Sequence, residues 1–405
     1  MSVLVELYDE NEPLLNILNA MLLHPRKVVF IGGNAVQKPR NQRNLRQFFQ
    51  TAGLDMETRF LRIPLNSLPQ LAKRLADVVG REENAIIDVT GGSDLLLVAA
   101  GMVFAQGQAV GVAYGQLHQG YYLLEQGAQT PRYLPIDVQM SVAQTILMAG
   151  GQLLRYGHVS RDDIDGRAMD DIAVMFPFFQ KHRAQWHAFT CYLQAANAGL
   201  HDAESLQVQA RSAYQNGGTL VSAPYDMLIE LSGMELLFDL RFNERSVSFR
   251  YADHFLRQCL SDAGIWLELY VYRVAFRCGR FDDVQISAVI GWEDAESAVE
   301  NEVDVIATAG LTQLFISCKS GRPDWDALNE IVTLTRRFGS QCALPVLVTM
   351  NDLETADLPL CRRAASLGVT VLDGTELQEA VLSQRLCELA DTWDRKTKVP
   401  AARLE

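Results

Sequence analysis

The sequence predicts an α/β protein in three parts: a doubly wound, mostly parallel sheet domain (1–145), a helical, winged-helix-like connector (146–248) and a second α/β domain (249–405). Three observations carry this. Strand-like and helix-like runs alternate from Val3 to Phe104. Between about Gly150 and Arg245 the runs turn mostly helical. After Phe249 the order becomes helix, strand, strand, strand, helix, strand.

In the first part, apolar runs at Val3–Leu7, Lys27–Gly33, Glu57–Ile63 and Asn84–Val89 read as strands. Helix-like runs lie between and after them, at Pro13–Leu18, Arg43–Phe49, Leu68–Val79 and Leu95–Phe104. In such sheets ligands bind beyond the carboxyl ends of the strands. Two strands end there in Gly-Gly: Gly32-Gly33, followed by Asn34, and Thr90-Gly91-Gly92-Ser93, which runs directly into a helix. Glycines admit close approach of the backbone, and a helix N-terminus offers free amides, so these residues form a candidate phosphate cradle. An ordinary tight turn is the alternative reading, since no Gly-x-Gly-x-x-Gly and no Walker lysine is present. Tyr114 is a further ligand candidate, with a core aromatic as its alternative.

The connector reads as helices at Asp170–Phe179, Arg183–Ala198 and Glu204–Tyr214, then a mixed run from Met227 to Phe242. It carries no basic recognition helix, which favours a structural linker over a DNA reader.

The last part opens with the helix Gly264–Tyr272, which sets one acid, Glu268, among apolar neighbours. A strand at Val284–Ile290 and an acidic loop from Trp292 to Glu300 follow, then Glu302-Val303-Asp304-Val305-Ile306, a turn at Ala309-Gly310, and Leu314 to Gly321. Side chains alternate along a strand, so Glu302 and Asp304 share a face, as do Ser317 and Lys319. Paired as a hairpin, these strands bring acids and an ammonium to one edge. Such a group suits metal-assisted phosphodiester hydrolysis: acids hold Mg²⁺ or Mn²⁺, and a lysine orients water and offsets transition-state charge.

Composition bounds the rest. With 36 basic and 49 acidic residues the net charge is -13, which excludes a protein that coats nucleic acid through its overall field but not a nuclease with a local basic groove. Arg273, Arg277, Arg280, Arg336 and Arg337 are candidates for such a groove. The seven cysteines lack Cys-x-x-Cys spacing and the seven histidines lack metal-ligand spacing, so neither a zinc site nor a disulfide framework is expected. No signal-peptide pattern and no long apolar span is visible, so a cytoplasmic, membrane-free protein is expected.

The segment with Glu268, Asp304 and Lys319 resembles the PD-(D/E)xK nuclease superfamily, which has a restriction-endonuclease-like fold. With Phe30–Gly33 and Asp88–Ser93 upstream, the whole chain resembles the CARF-fused PD-(D/E)xK nucleases of type III CRISPR systems, in which a Rossmann-like CARF sensor precedes a winged-helix connector and the nuclease. The resemblance implies a homodimeric, metal-dependent enzyme of antiviral defence, cutting RNA and/or DNA when a cyclic oligoadenylate, most often cyclic tetra-adenylate, binds the sensor. It implies catalytic roles for Glu268, Glu302, Asp304, Ser317 and Lys319, and metal contacts from Glu268, Asp304 and the Cys318 carbonyl. It makes Gly32, Gly33, Asn34, Thr90, Gly91, Gly92, Ser93 and Tyr114 the residues for the activator. Two positions depart from the pattern. Ser317 stands where an acid is usual, leaving Glu302 or Glu330 to supply the carboxylate, and Asp94 stands where a lysine is frequent. The alternative is a ligand-responsive DNA-binding regulator whose nuclease domain is degenerate.

Overall fold

The computed structural model describes residues 2–392 apart from 65, 117–119, 135–136, 158, 201–204, 217–218, 293–299 and 354–356, so most of the acidic loop lies outside the described residues. The N-terminal part alternates as expected: β1 (Val3–Leu7), α1 (Leu15–Leu23), β2 (Lys27–Gly32), α2 (Pro39–Thr51), β3 (Glu57–Arg62), α3 (Leu68–Val79), β4 (Ala85–Asp88), α4 (Asp94–Ala105) and β5 (Gly111–Gln116). These strands pair in parallel, and β6 (Gly120–Glu125) and β7 (Arg132–Leu134) extend the sheet antiparallel, in the order β3-β2-β1-β4-β5-β6-β7. Every residue of β1 is buried, because helices cover both faces of a parallel sheet. In α3 the buried Leu71, Leu75 and Val79 recur every fourth residue, which turns one stripe onto the sheet. Since β1 lies between β2 and β4, the strand order reverses between β1 and β4 and opens a crevice at their carboxyl ends.

The middle part runs through α5 (Val142–Met148), β8 (Gly151–Tyr156), α6 (Gly166–Lys181), α7 (Trp186–Ala198), β9 (Gln207–Arg211), β10 (Ala213–Asn216), β11 (Thr219–Ser222), α8 (Tyr225–Gly233), β12 (Leu237–Phe242), β13 (Ser246–Tyr251) and α9 (His254–Leu260). Within the helix expected over 204–214, Gln207–Arg211 is instead strand: Val208 and Ala210 are buried and Gln207, Gln209 and Arg211 exposed, the two-residue period that pairing with β13 imposes.

The C-terminal part contains α10 (Ile265–Arg277), β14 (Asp283–Trp292), β15 (Glu300–Ala309), β16 (Thr312–Lys319), α11 (Trp325–Phe338), β17 (Ala343–Thr349), α12 (Leu358–Leu367), β18 (Thr370–Leu372) and α13 (Glu379–Ala390). Its sheet runs β18-β17-β16-β15-β14-β8, antiparallel from β16 to β8 and parallel from β16 to β18. The outermost strand, β8, thus comes from the segment expected to be connector. Gly310, with φ +57, turns the β15–β16 hairpin, as a two-residue loop requires. Three of the candidate groove arginines are held within the protein: Arg273 is buried against Glu379 and the Met169 carbonyl, Arg280 pairs with Asp391 at 2.7 Å, and Arg337 donates to the Ala149 carbonyl at 3.0 Å. No described helix is long and apolar enough to cross a membrane.

Candidate active site and ligand crevice

The C-terminal site forms where a strand ladder ends. β15 and β16 stay in register from Ala309–Thr312 to Val305–Ile316. At the next position the Asp304 carboxylate accepts the Cys318 amide at 2.6 Å and the Ser317 hydroxyl at 3.3 Å. A side chain thereby replaces a ladder bond and fixes the acid beside the diverging strands. The Lys319 ammonium, about one third exposed, lies 3.9 Å from the same carboxylate oxygen.

Across the sheet, the β14 register sets Ser287 opposite Asp304. Ser287 has φ +49 in the middle of a strand, its hydroxyl is buried without a hydrogen-bond partner among the described residues, and its carbonyl accepts the Gly157 amide at 2.7 Å. A non-glycine residue held in the left-handed region is strained, and such strain gathers at functional sites. Glu302 shares the face of Asp304, and its carboxylate lies against Gly157 so closely that a Cβ there would overlap it.

Glu268 reaches the same cleft from the first turn of α10. The cleft has a volume of about 380 Å³ and is also lined by Asp262, Glu300, Asn301, Ser317 and Glu330. Burial holds the Glu268 carboxyl well above the usual carboxylate range; Asp304, Asp262 and Glu302 push it further and Lys319 opposes them. Burial raises Asp304 as well, against Lys319, the Cys318 amide and the Ser317 hydroxyl. Hard oxygen donors facing one lysine suit Mg²⁺ or Mn²⁺. As they stand, no three Asp, Glu, His or Cys side chains among the described residues form a ligand group, and the acids line the walls instead of meeting at a point. The structure therefore brings Glu268, Glu302, Asp304, Ser317 and Lys319 together. The Cys318 thiol is buried in the core, and its backbone lies at the site through the amide that Asp304 accepts. Both candidates for the missing acid, Glu302 and Glu330, face the cleft. Sequence reasoning missed Asp262, which reads as a turn residue because it accepts the Gly264 and Ile265 amides ahead of α10.

The glycine turns meet at the β1/β4 switch point. A Cβ on Gly32 would touch Tyr8 at 3.1 Å, and one on Gly91 would press on Asp9 at 2.9 Å, so both turns pack on the chain leaving β1. Gly92 needs its φ of +97, and its amide donates to Asp9 at 3.2 Å. Asp9 thus occupies part of the anion cradle, which the sequence did not reveal. Thr90 donates its amide to Asp88 at 2.8 Å, and its hydroxyl accepts the Asn19 side-chain amide at 3.1 Å. Glu6, in register with Asp88, is fully buried, and burial together with Asp88 pushes its carboxyl well up. Ser93 precedes α4 with its side chain making no cap hydrogen bond, and Gly33 and Asn34 lead from β2 toward α2. Tyr114 is no core aromatic: it is 36% exposed on β5 and stacks on Tyr122 with ring centroids 5.5 Å apart.

Residues 256–387 match the family described as Card1-like, endonuclease domain. A comparison with curated proteins finds no match. Among solved structures the chain resembles protein VC1899 from Vibrio cholerae at 14% identity and a TM-score of 0.72, over 98% of both chains. It also resembles Can2 from Sulfobacillus thermosulfidooxidans, determined in complex with cyclic tetra-adenylate, at 16% identity and a TM-score of 0.64, over 96% of this chain and 99% of that one. The chain thus shares its overall fold with VC1899 and Can2, and its C-terminal part is similar to the Card1-like endonuclease domain.

Proposed function

We propose that the protein is a cytoplasmic, homodimeric, divalent-metal-dependent nuclease of CRISPR-linked antiviral defence, cutting RNA and/or DNA and switched on by a cyclic oligoadenylate, cyclic tetra-adenylate first among them. The observation that carries the nuclease reading is Asp304 and Lys319 at the diverging ends of two paired strands, with Glu268 facing them across one cleft. Mg²⁺ or Mn²⁺ held by Glu268 and Asp304 would polarise the phosphate and acidify bound water. The residues do the rest. Asp304 is aimed by the Cys318 amide, and Lys319 is placed to orient water and to offset charge on the phosphate. A cation held in the cleft would favour release of the proton from the Glu268 carboxyl, which burial and the neighbouring acids raise.

The sensor reading is supported by the crevice at the β1/β4 switch point and by the shared fold with Can2, whose structure holds cyclic tetra-adenylate. The homodimer is supported by an apolar face beside that crevice. Leu95, Val98 and Met102 of α4 are 40%, 51% and 40% exposed, and Val110, Tyr114 and Tyr133 continue the face across the sheet. One observation favours the regulator reading, namely Ser317 in an acid's place. Labelled RNA, single-stranded DNA and duplex DNA incubated with Mn²⁺ or chelator, with and without cyclic oligoadenylates of several ring sizes, separate the two. A nuclease degrades one of them only with metal and activator; a regulator protects a duplex in chelator and leaves it intact.

A further inference from the structure

The chain leaving the sensor is built into both domains before it reaches the nuclease cleft. From the sensor side, the Arg40 guanidinium of α2 donates to the Gly150 carbonyl, the Asn44 amide donates to the Leu147 carbonyl at 3.2 Å, and Met148 packs in the sensor core. From the nuclease side, Arg337 of α11 donates to the Ala149 carbonyl at 3.0 Å, and Val142 and Ile146 belong to the core beneath β14 to β16. Consecutive carbonyls of one turn are thus gripped by one arginine from each domain. Gly150, with φ +80, makes the turn.

Both exits from this turn lead to the cleft. Forward, β8 pairs with β14 as far as Tyr156 opposite Ala288, and the next residue, Gly157, donates to Ser287 and backs the Glu302 carboxylate. Backward from Arg337, α11 carries Glu330 and Leu334 into the same cleft. The other end of the chain of contacts lies among the activator candidates. Gly32, Gly33 and Asn34 continue through Ala35–Gln37 into α2, and Asn41 and Gln42 of α2 bond back to the Ala35 and Val36 carbonyls at 3.0 and 3.1 Å.

We propose that the Arg40–Ala149/Gly150–Arg337 clamp, acting through β8 and α11, is the link by which the sensor sets Glu302 and Glu330 in the nuclease cleft. The proposal rests on the activator-gated reading above and names how the gate reaches the site. Close packing makes such a link effective, because a turn held at both carbonyls cannot absorb a shift of α2 and passes it to β8. Arg40, Arg337 and Gly157 are positioning residues in this scheme.

The test measures cleavage at saturating Mn²⁺ with and without saturating cyclic oligoadenylate for wild type, Arg337→Met, Arg337→Lys, Gly157→Ala, Glu302→Gln and the Gly157→Ala/Glu302→Gln pair. For Arg337→Met the stimulation by activator, the ratio of the rates with and without it, is expected to fall at least about tenfold, within the usual range of allosteric coupling. Arg337→Lys, which keeps one donor, is expected to recover part of it. Gly157→Ala is expected to lower the stimulated rate in the wild-type background and to change nothing further once Glu302 is Gln, because it acts through that carboxylate. A merely structural role would give additive losses. Wild-type stimulation retained in Arg337→Met, or additive losses in the pair, overturns the link alone. A wild type that no cyclic oligoadenylate stimulates overturns the gated reading and the link together. If Arg337→Met does not fold, the Lys variant and the Gly157 cycle decide.

Discussion

Asp304 holds its place where the β15–β16 ladder gives out by accepting the Cys318 amide and the Ser317 hydroxyl, so its orientation is set by the strand beside it. Replacing Asp304 by Asn keeps the acceptor and removes the charge; cleavage is expected to fall about 10³-fold, and Mn²⁺ is expected to stop raising the melting temperature. Lys319→Met is expected to cost about 10²-fold in rate while the Mn²⁺-induced stabilisation persists, because the proposed mechanism sets the ammonium on the reacting phosphate and not on the ion. Glu268 and Asp304 also make the metal-free protein sensitive to pH. Their carboxyls are raised in the folded state, so the folded chain binds protons that the unfolded chain has released. Stability is therefore full below the ordinary carboxyl range and declines as pH rises through the raised values. In chelator, Glu268→Gln is expected to melt higher than wild type at neutral pH and level with it in acid, and to gain nothing from added Mn²⁺.

The elements that could be read from the sequence are those whose signal is local. The β15–β16 hairpin shows as two apolar runs around Gly310, and α3 as a four-residue stripe of Leu71, Leu75 and Val79. Strand alternation puts Glu302 with Asp304, and Ser317 with Lys319, on one face, and the structure brings these four together, whereas Glu268 and Asp262 reach the cleft from outside the hairpin. Elements fixed by distant partners could not be read. β9 has the length and polarity of a helical turn and is a strand because β13 pairs with it. β8 shows no clear alternation, and its place at the edge of the C-terminal sheet is set by β14, far along the chain. Asp9 is legible only once β1 and β4 lie side by side. The turn ahead of β8 carries a further expectation: Gly150→Ala forces a side chain into the left-handed region, at a cost of about 1–2 kcal/mol, and thermal unfolding is expected to register the loss.

At the scale of the whole molecule, the N-terminal sheet and the C-terminal sheet share a packed boundary. Leu311 at the hairpin tip and Cys342 ahead of β17 join the core of the N-terminal sheet, while α5 is shared, with Val142 and Ile146 in the C-terminal core and Met148 in the N-terminal one. A boundary of this kind transmits rigid-body shifts. The exposed face of α4 beside the crevice gives the dimer its test: Val98→Arg is expected to shift the protein to monomer in analytical ultracentrifugation and to remove activator stimulation, with the isolated chain still folded. The most direct measurement of all is the rate at which the wild type cuts a labelled strand at saturating Mn²⁺, with and without cyclic tetra-adenylate, using Asp304→Asn as the blank. Cutting that requires the metal, rises at least about tenfold with the cyclic nucleotide and vanishes in the blank is the expected result. Equal cutting by wild type and Asp304→Asn, or no cutting under any of these conditions, would contradict it.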